Sequence, residues 1–327
     1  MNLKERFASA RLLNKDGRNS ILLLVALLIA SSGVMIHYSL EARQEKEQLE
    51  NSVIIVEAPK QTAFDQINLS AQAAYVWDIK NQQELFAMNG DRELALASLT
   101  KIMTVATAAE LLPESTNITI EPEFLTADGD SGLVPYETWR LSDLIDFSLL
   151  VSSNDGVKAI ASVAGADAYK TATFEEGRQA FIKQMNVRAE ELGLNHTHFT
   201  NESGLDNSKT NGGAYGSARD MARLFEYTYT KYPPLFEMTR YEQWDFRSLS
   251  GFNHQAKNTN TLIGQMAGVL ASKTGYTELA GGNLAVIFDP ELGRPIVIVV
   301  LGSTQNARLS DVEKLIGATM KQITSEN

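Results

Sequence analysis

No cysteine occurs anywhere in the 327 residues. That absence removes disulfides, thiolate nucleophiles, cysteine-ligated zinc and a lipidated N-terminal cysteine together. Histidine is scarce too, with four copies at positions 37, 196, 198 and 254. A histidine base or a histidine-rich metal site therefore has few places to form. His196 and His198 alternate in NHTHF without further ligands at suitable spacing and read as loop residues, so no metal site is expected of them. Positive charge is also short: 29 Lys+Arg face 40 Asp+Glu, for a net charge of −11. An acidic chain lacks the basic face that phosphates require, which excludes nucleic acid as a partner and leaves solubility as the reading of the charge.

One long run carries no charge at all. Residues 19–40, NSILLLVALLIASSGVMIHYSL, follow a leader with Lys4, Arg6, Arg11, Lys15 and Arg18 against Glu5 and Asp16. The first 40 residues thus sum to +3, and the rest of the chain carries −14. An apolar segment flanked by positive charge on one side is a membrane-targeting element with its N-terminus inside. Ala30-Ser31-Ser32 offers a small-residue cleavage site, but the long polar leader and near-bilayer length favour an uncleaved signal anchor. The expected organisation is a cytoplasmic leader over 1–18, a transmembrane anchor over 19–40, a stalk over 41–70 that breaks up around Pro59, and one domain over 71–327.

Within that domain AAYVWDI, a polar KNQQ and ELFAMN predict a β-hairpin. A helix follows, with Ile102, Met103, Val105, Ala106, Ala109 and Leu112 on its buried side and Pro113 beyond its end. The middle is mainly helical, through TWRLSDLIDFSLLVSSN, DGVKAIASVAG, FEEGRQAFIKQMNVRAEELGL and ARDMARLFEYTYTKY. GVLASKTGYT, GGNLAVIFD and RPIVIVVLGS read as strands, and ARLSDVEKLIGATMKQI as a closing helix. Strands at both ends with helices between predict an α/β domain: a sheet built from both termini, flanked by helices, with an inserted helical lobe.

Three short elements carry the chemistry. Ser98 lies three residues before Lys101 at the start of the helical run, so both share one face and the amine can reach the hydroxyl. At a helix start the Ser98 N–H is free to point at a developing oxyanion. An amine acts as a base only when neutral, so Lys101 needs desolvation or a nearby like charge, which Lys273 could supply. Ser152-Ser153-Asn154 follows after 54 residues, and Lys273-Thr274-Gly275 after another 121, inside a strand-like run. A serine–lysine pair at this spacing arises by chance roughly once in such a chain, so order and context make the set informative. SKTN at 208–211 and Ser325-Glu326-Asn327 are false copies. Gly129-Asp130-Ser131-Gly132 has the look of a chymotrypsin-type nucleophile motif, but the only upstream histidine is His37 in the apolar run, so it reads as a turn.

Together with LSDLIDFSLLVSSNDGVKAIA, LGLNHTHFTNESGLDN and NTNTLIGQMAGVLASKTGYTELAGGNLAV, these elements resemble the low-molecular-mass penicillin-binding proteins, the D-alanyl-D-alanine carboxypeptidase family, over about residues 70–320. The resemblance implies a β-lactamase/transpeptidase-like fold, peptidoglycan stem peptides as substrate and β-lactams as covalent inhibitors, with no metal or organic cofactor. It also implies a catalytic domain on the periplasmic or cell-wall side of a bacterial membrane. It assigns Ser98 as nucleophile, Lys101 as base, Ser152 to proton relay, and Asn154 to holding Lys101 and the substrate amide. Lys273 and Thr274 would hold the terminal carboxylate, Gly275 would admit the substrate backbone, and the Tyr276 N–H would complete the oxyanion site. Many members continue into a small β-rich domain and a C-terminal amphipathic anchor. This sequence ends after one helix, and anchoring is expected at its N-terminus instead. Carboxypeptidase and D,D-endopeptidase both fit. A β-lactamase would need a deacylating carboxylate, for which Glu202 is the nearest candidate, read here as an exposed loop acid. A non-catalytic wall-binding or β-lactam-sensing protein is the reading from another class, and the intact trio argues against it.

Overall fold

The computed structural model describes residues 15–51, 62–129, 131–266, 268–290 and 293–326. The chain divides into two units, 1–61 and 62–327. The first contains one helix, α1 (Lys15–Asn51), in which Ile21–Glu47 is long and apolar enough to cross a membrane. The helix continues past residue 40 because EARQEKEQLEN is made of good helix formers, so the first part of the expected stalk is helical. The leader up to residue 14 and the stalk segment 52–61 lie outside the described residues.

The second unit begins at Thr62, nine residues before the expected boundary. Residues 62–70 belong to its packing: Phe64 is buried and stacks on Phe86, and the N–H groups of Ser70 and Ala71 donate to the buried carboxylate of Asp311 at 3.0 and 2.9 Å. In chain order its strands are β1 (Ala73–Asp78), β2 (Gln83–Met88), β3 (Leu94–Ala95), β4 (Asn117–Thr119), β5 (Thr138–Arg140), β6 (His198–Phe199) and β7 (Ala214–Gly216). They continue with β8 (Gln243–Arg247), β9 (Asn253–Lys257), β10 (Val269–Thr277), β11 (Gly281–Phe288) and β12 (Ile296–Ser303). Its helices are α2 (Lys101–Leu111), α3 (Leu141–Leu150), α4 (Asn154–Tyr169), α5 (Phe174–Glu191), α6 (Ala218–Lys231) and α7 (Ala307–Glu326).

The main sheet has the order β10-β11-β12-β1-β2 with antiparallel neighbours, so the first strands and the last lie side by side, Ala73 opposite Leu301 and Asp78 opposite Ile296. β12 is continuously apolar because both its faces are covered. Val297, Val299 and Leu301 face the helical lobe, whereas Ile296, Ile298 and Val300 pack with Val312 and Leu315 of α7.

The helical lobe is inserted in sequence between β2 and β10, and α2 packs within it against α4, α5 and α6. Every residue of α2 from Lys101 to Ala108 is buried, so the helix has no solvent face at its start and the one-sided pattern expected for it does not hold. The β8–β9 hairpin is a second departure, since QWDFR and NHQAK are too polar to signal strands. α4 and α5 cross at van der Waals contact of their backbones: a Cβ at Gly165 would overlap the carbonyl of Gly177, and one at Gly177 would overlap the backbone of Ala166. We expect Gly165→Ala to destabilise the fold by about 1–3 kcal/mol through overpacking. Gly317→Ala, at an exposed position of α7 with nothing within 4 Å of the new Cβ, should stabilise it by about 0.5–1 kcal/mol. Denaturant titration of both variants checks the pair.

Candidate active site

Three separate segments deliver the site. Ser98 sits on a 3₁₀ turn, Ala97–Thr100, that runs directly into α2, rather than on the α-helix itself. It is the one residue of 95–108 that is not fully buried. Ala97 before it has φ +47°, a left-handed conformation that an alanine holds only under constraint and that aims the next side chain outward. The constraint is visible: Asn283, buried on β11, donates to the carbonyls of Ala95 and Leu96 at 2.9 and 3.0 Å and accepts from Gly302 N at 2.8 Å.

Lys101 is wholly buried, and its Nζ lies 2.8 Å from Ser98 Oγ, 2.7 Å from Asn154 Oδ1 and 3.1 Å from the carbonyl of Ser203. Asn154 opens α4 and is held in turn by donating from Nδ2 to the Asp128 carbonyl at 2.7 Å. Ser153 caps that helix, accepting from Gly156 N at 2.9 Å. Ser152, in the turn between α3 and α4, has φ +60°, and its Oγ accepts from Lys273 Nζ at 2.8 Å. Lys273, buried on β10, also donates to the Thr274 carbonyl at 2.8 Å, and the Thr274 hydroxyl lies 2.6 Å from that of Thr259. Gly275 lets β10 approach the nucleophile turn: an added Cβ would stand 3.0 Å from Leu96 O and 3.1 Å from Ser98 N. The glycine is thus needed for the protein's own backbone, a role the sequence reading gave to substrate alone. Tyr276 follows with a 41% exposed side chain beside Glu278.

Burial pushes the Lys101 amine down to about 7, opposed by the carboxylate of Glu202. Lys273 is pushed well below its ordinary value, first by burial, then by Lys101 and by Arg308. Burial is the first cause at both amines, and their mutual repulsion lowers Lys273 further.

Three further groups escape a motif reading. The Ser203 carbonyl and Asn283 act on backbone or through it and leave no signature of side-chain spacing. Arg308, buried on α7, donates from Nη1 to the Gly275 carbonyl at 2.6 Å, and its Nε has no partner among the described residues. Glu202 is not the exposed acid expected: it is 3% exposed and accepts from Arg178 Nε at 2.9 Å. Ser131 belongs to a turn flanked by Gly129 and Gly132 at φ +92° and +79°, its Oγ 2.7 Å from that of Ser153; Asp130 lies outside the described residues. His198 opens strand β6 rather than lying in a loop, and stacks on Tyr215.

The domain has the fold of the serine D,D-peptidases. It superposes on the Streptomyces K15 DD-transpeptidase with a TM-score of 0.71 at 24% identity, covering 78% of this chain and 98% of that one. Penicillin-binding protein D2 of Listeria monocytogenes, solved in its ampicillin-bound form, gives a TM-score of 0.64 at 26% identity over 77% of this chain and 98% of that one. Residues 58–305 match the peptidase S11 family model, D-alanyl-D-alanine carboxypeptidase, and the chain belongs to that family. Among relatives, the D-alanyl-D-alanine carboxypeptidase DacF of Bacillus subtilis is 31% identical over 77% of this chain and 62% of its own length. A D-alanyl-D-alanine endopeptidase of Escherichia coli is 26% identical over 73% of this chain and 74% of its own. The chain spans about three fifths of the length of the carboxypeptidases it matches.

The folded pKa of Lys101 lies below its unfolded value of 10.5, so between pH 7 and 10.5 the unfolded chain holds the extra proton. Stability therefore rises with pH across that window and is insensitive to this group below it. Relative to Lys101→Met, the wild-type protein should gain up to about 5 kcal/mol between pH 7 and 10.5. Denaturant titrations of both proteins at several pH values measure the difference, and a constant offset would contradict it.

Proposed function

We propose that this protein is a serine D,D-carboxypeptidase, anchored in a bacterial cell membrane through residues 19–40 with its catalytic domain outside the cytoplasm. It removes the terminal D-alanine of peptidoglycan stem peptides through an acyl-enzyme. One observation carries this reading: a wholly buried Lys101 amine with three oxygen partners, of which one is Ser98 Oγ. An ammonium has three protons to donate, and the three oxygens take all of them. The neutral amine keeps Asn154 Oδ1 and Ser203 O as acceptors and turns its lone pair on the Ser98 hydroxyl. A proton passes from Ser98 to Lys101 with no heavy atom moving.

Ser98 Oγ then adds to the carbonyl carbon before the terminal residue, and the Ser98 and Tyr276 N–H groups receive the oxyanion. Lys273, Thr274 and Arg308 hold the substrate carboxylate, whose negative charge favours the protonated form of Lys273. As the C–N bond breaks, Ser152, whose Oγ accepts from Lys273, gives its hydroxyl proton to the departing nitrogen and is reprotonated with the proton that Lys101 took from Ser98, so the amine is neutral again. Water completes the cycle, with Lys101 again as base. β-Lactams present a reactive amide and a carboxylate in the same relation and stop at the acyl stage.

A labelled penicillin should acylate the full chain in detergent at Ser98, read by intact mass and peptide mapping. The acid limb of its rate should lie near the Lys101 value of about 7. Lys101→Ala should lose roughly 10²–10⁴-fold in acylation rate, and labelling that survives Ser98→Ala would sink the assignment. A pentapeptide and a cross-linked dimer assayed side by side separate carboxypeptidase from endopeptidase. Lys273→Ala and Arg308→Ala should each lose roughly tenfold to a hundredfold on a ligand with a free carboxylate, and much less on its ester. Equal losses on both ligands would remove these cations from carboxylate binding.

A further inference from the structure

A buried ion pair lies one peptide from a carbonyl that holds Lys101. The loop TNESGLDN, residues 200–207, is drawn tight by Asn201, whose Oδ1 accepts from Gly204 N at 2.7 Å and whose Nδ2 donates to Leu205 O at 2.9 Å. So braced, it presents two consecutive carbonyls to the start of α2. The Glu202 carbonyl accepts from Thr104 Oγ1 at 2.6 Å, and the Ser203 carbonyl accepts from Lys101 Nζ at 3.1 Å. Gly204, at φ +78°, packs against the carbonyl of Ala97, one residue before the nucleophile.

The Glu202 side chain points the other way, to α5. Its carboxylate is 4% exposed and accepts from Arg178 Nε at 2.9 Å. Arg178 is 19% exposed and shares its charge with Glu175, 62% exposed, at 3.1 Å. A cavity of about 250 Å³ lies against the pair, lined by Lys158, Arg178, Glu202, Ser203 and Asp206 among others. A buried ion pair is poor value as a structural fastener, because apolar side chains of equal volume hold a loop as well without desolvating two charges. Its position one peptide from the Lys101 acceptor suits an electrostatic role.

We propose that the Arg178–Glu202 ion pair is a positioning device for the base, setting through the Glu202–Ser203 peptide and its own field the pH above which Lys101 can deprotonate Ser98. The inference rests on the serine-peptidase reading above. The charged groups around Lys101 are Lys273 on β10 with Arg308 behind it on α7, Glu202 on the loop, Arg178 and Glu175 on α5, and Lys158 and Asp155 on α4. Among the described residues, Glu202 is the carboxylate that stabilises the Lys101 ammonium, while burial opposes it. Arg178 draws part of that carboxylate's field away. The pair therefore holds the amine between two failures: permanently protonated, or too weak a base to take the serine's proton.

The test is the acid limb of acylation by a labelled penicillin, measured from pH 5 to 9 on the full chain in detergent. In Glu202→Gln the stabilising carboxylate is gone and Arg178 keeps only the exposed Glu175 as counter-charge, so the limb should move down by roughly one unit. Relative to its own plateau, that variant should then acylate about fivefold faster than wild type at pH 6. In the double variant Glu202→Gln/Arg178→Gln the repelling guanidinium is gone as well, and the limb should return part of the way toward wild type. A merely structural role would lower both plateaus and leave the limbs in place. A Glu202→Gln limb at or above wild type overturns the proposal, as does a double-variant limb no nearer to wild type than the single. Should the single variant not fold, the double carries the test alone, and its limb must lie below that of wild type. Absence of labelling in the wild type, or labelling of Ser98→Ala, would instead contradict the underlying peptidase reading.

Discussion

Two lysine amines are buried side by side in one cleft, and neither has a carboxylate within hydrogen-bonding distance among the described residues. That constraint organises the rest of the structure. Desolvated ammonium groups are costly, so the fold satisfies Lys101 with a hydroxyl, an amide oxygen and a backbone carbonyl, all neutral. Neutral partners compensate the proton without locking it in place. A carboxylate at hydrogen-bonding distance would do so, and would leave a cation where a base is wanted. The nearest acid, Glu202, is correspondingly turned away and paired with Arg178.

Holding such a site takes rigid support from distant parts of the chain. The nucleophile turn comes from the first third, Ser152 and Asn154 from the helical lobe, and Lys273 from an edge strand near the C-terminus. Antiparallel closure of the sheet between β1 and β12 brings the first and last of these together. Asn283 then pins the nucleophile turn to the sheet, and Arg308 pins the Gly275 carbonyl from α7. Strain is stored at Ala97 and Ser152, both left-handed and each adjacent to or part of the cluster. Such strain persists only where surrounding contacts over-determine the backbone, as the Asn283 bonds do here.

Much of this is legible in the sequence, for definite reasons. β11 and β12 are apolar runs bounded by Gly and Pro, β10 is a strand-like run after Gly268, and the β1–β2 hairpin is two short aromatic- and apolar-rich runs about a polar turn, so composition and turn residues mark all five. The trio at Ser98, Ser152 and Lys273 is visible because the chemistry needs particular side chains in a fixed order. What the sequence hides is what backbone and burial do. The Ser203 carbonyl has no side-chain signature, and Asn283 and Arg308 contact backbone far away in the chain. The polar β8–β9 hairpin borrows its burial from Trp139 and Phe147 through Phe246, a tertiary effect that strand propensity cannot anticipate. Glu202 looks exposed from its polar neighbours and proves buried because Arg178, 24 residues away, comes to meet it.

The central claim is that burial makes Lys101 a base near neutral pH while the three oxygens keep it in place. Titrating the lysine side-chain carbons by NMR, with Lys101→Met to assign the resonance, reads that ionisation directly and without any substrate. The account predicts a Lys101 midpoint near 7. A midpoint at the ordinary lysine value, about 10.4, would contradict it, because the amine would then be a fixed cation throughout the range in which Ser98 must lose its proton.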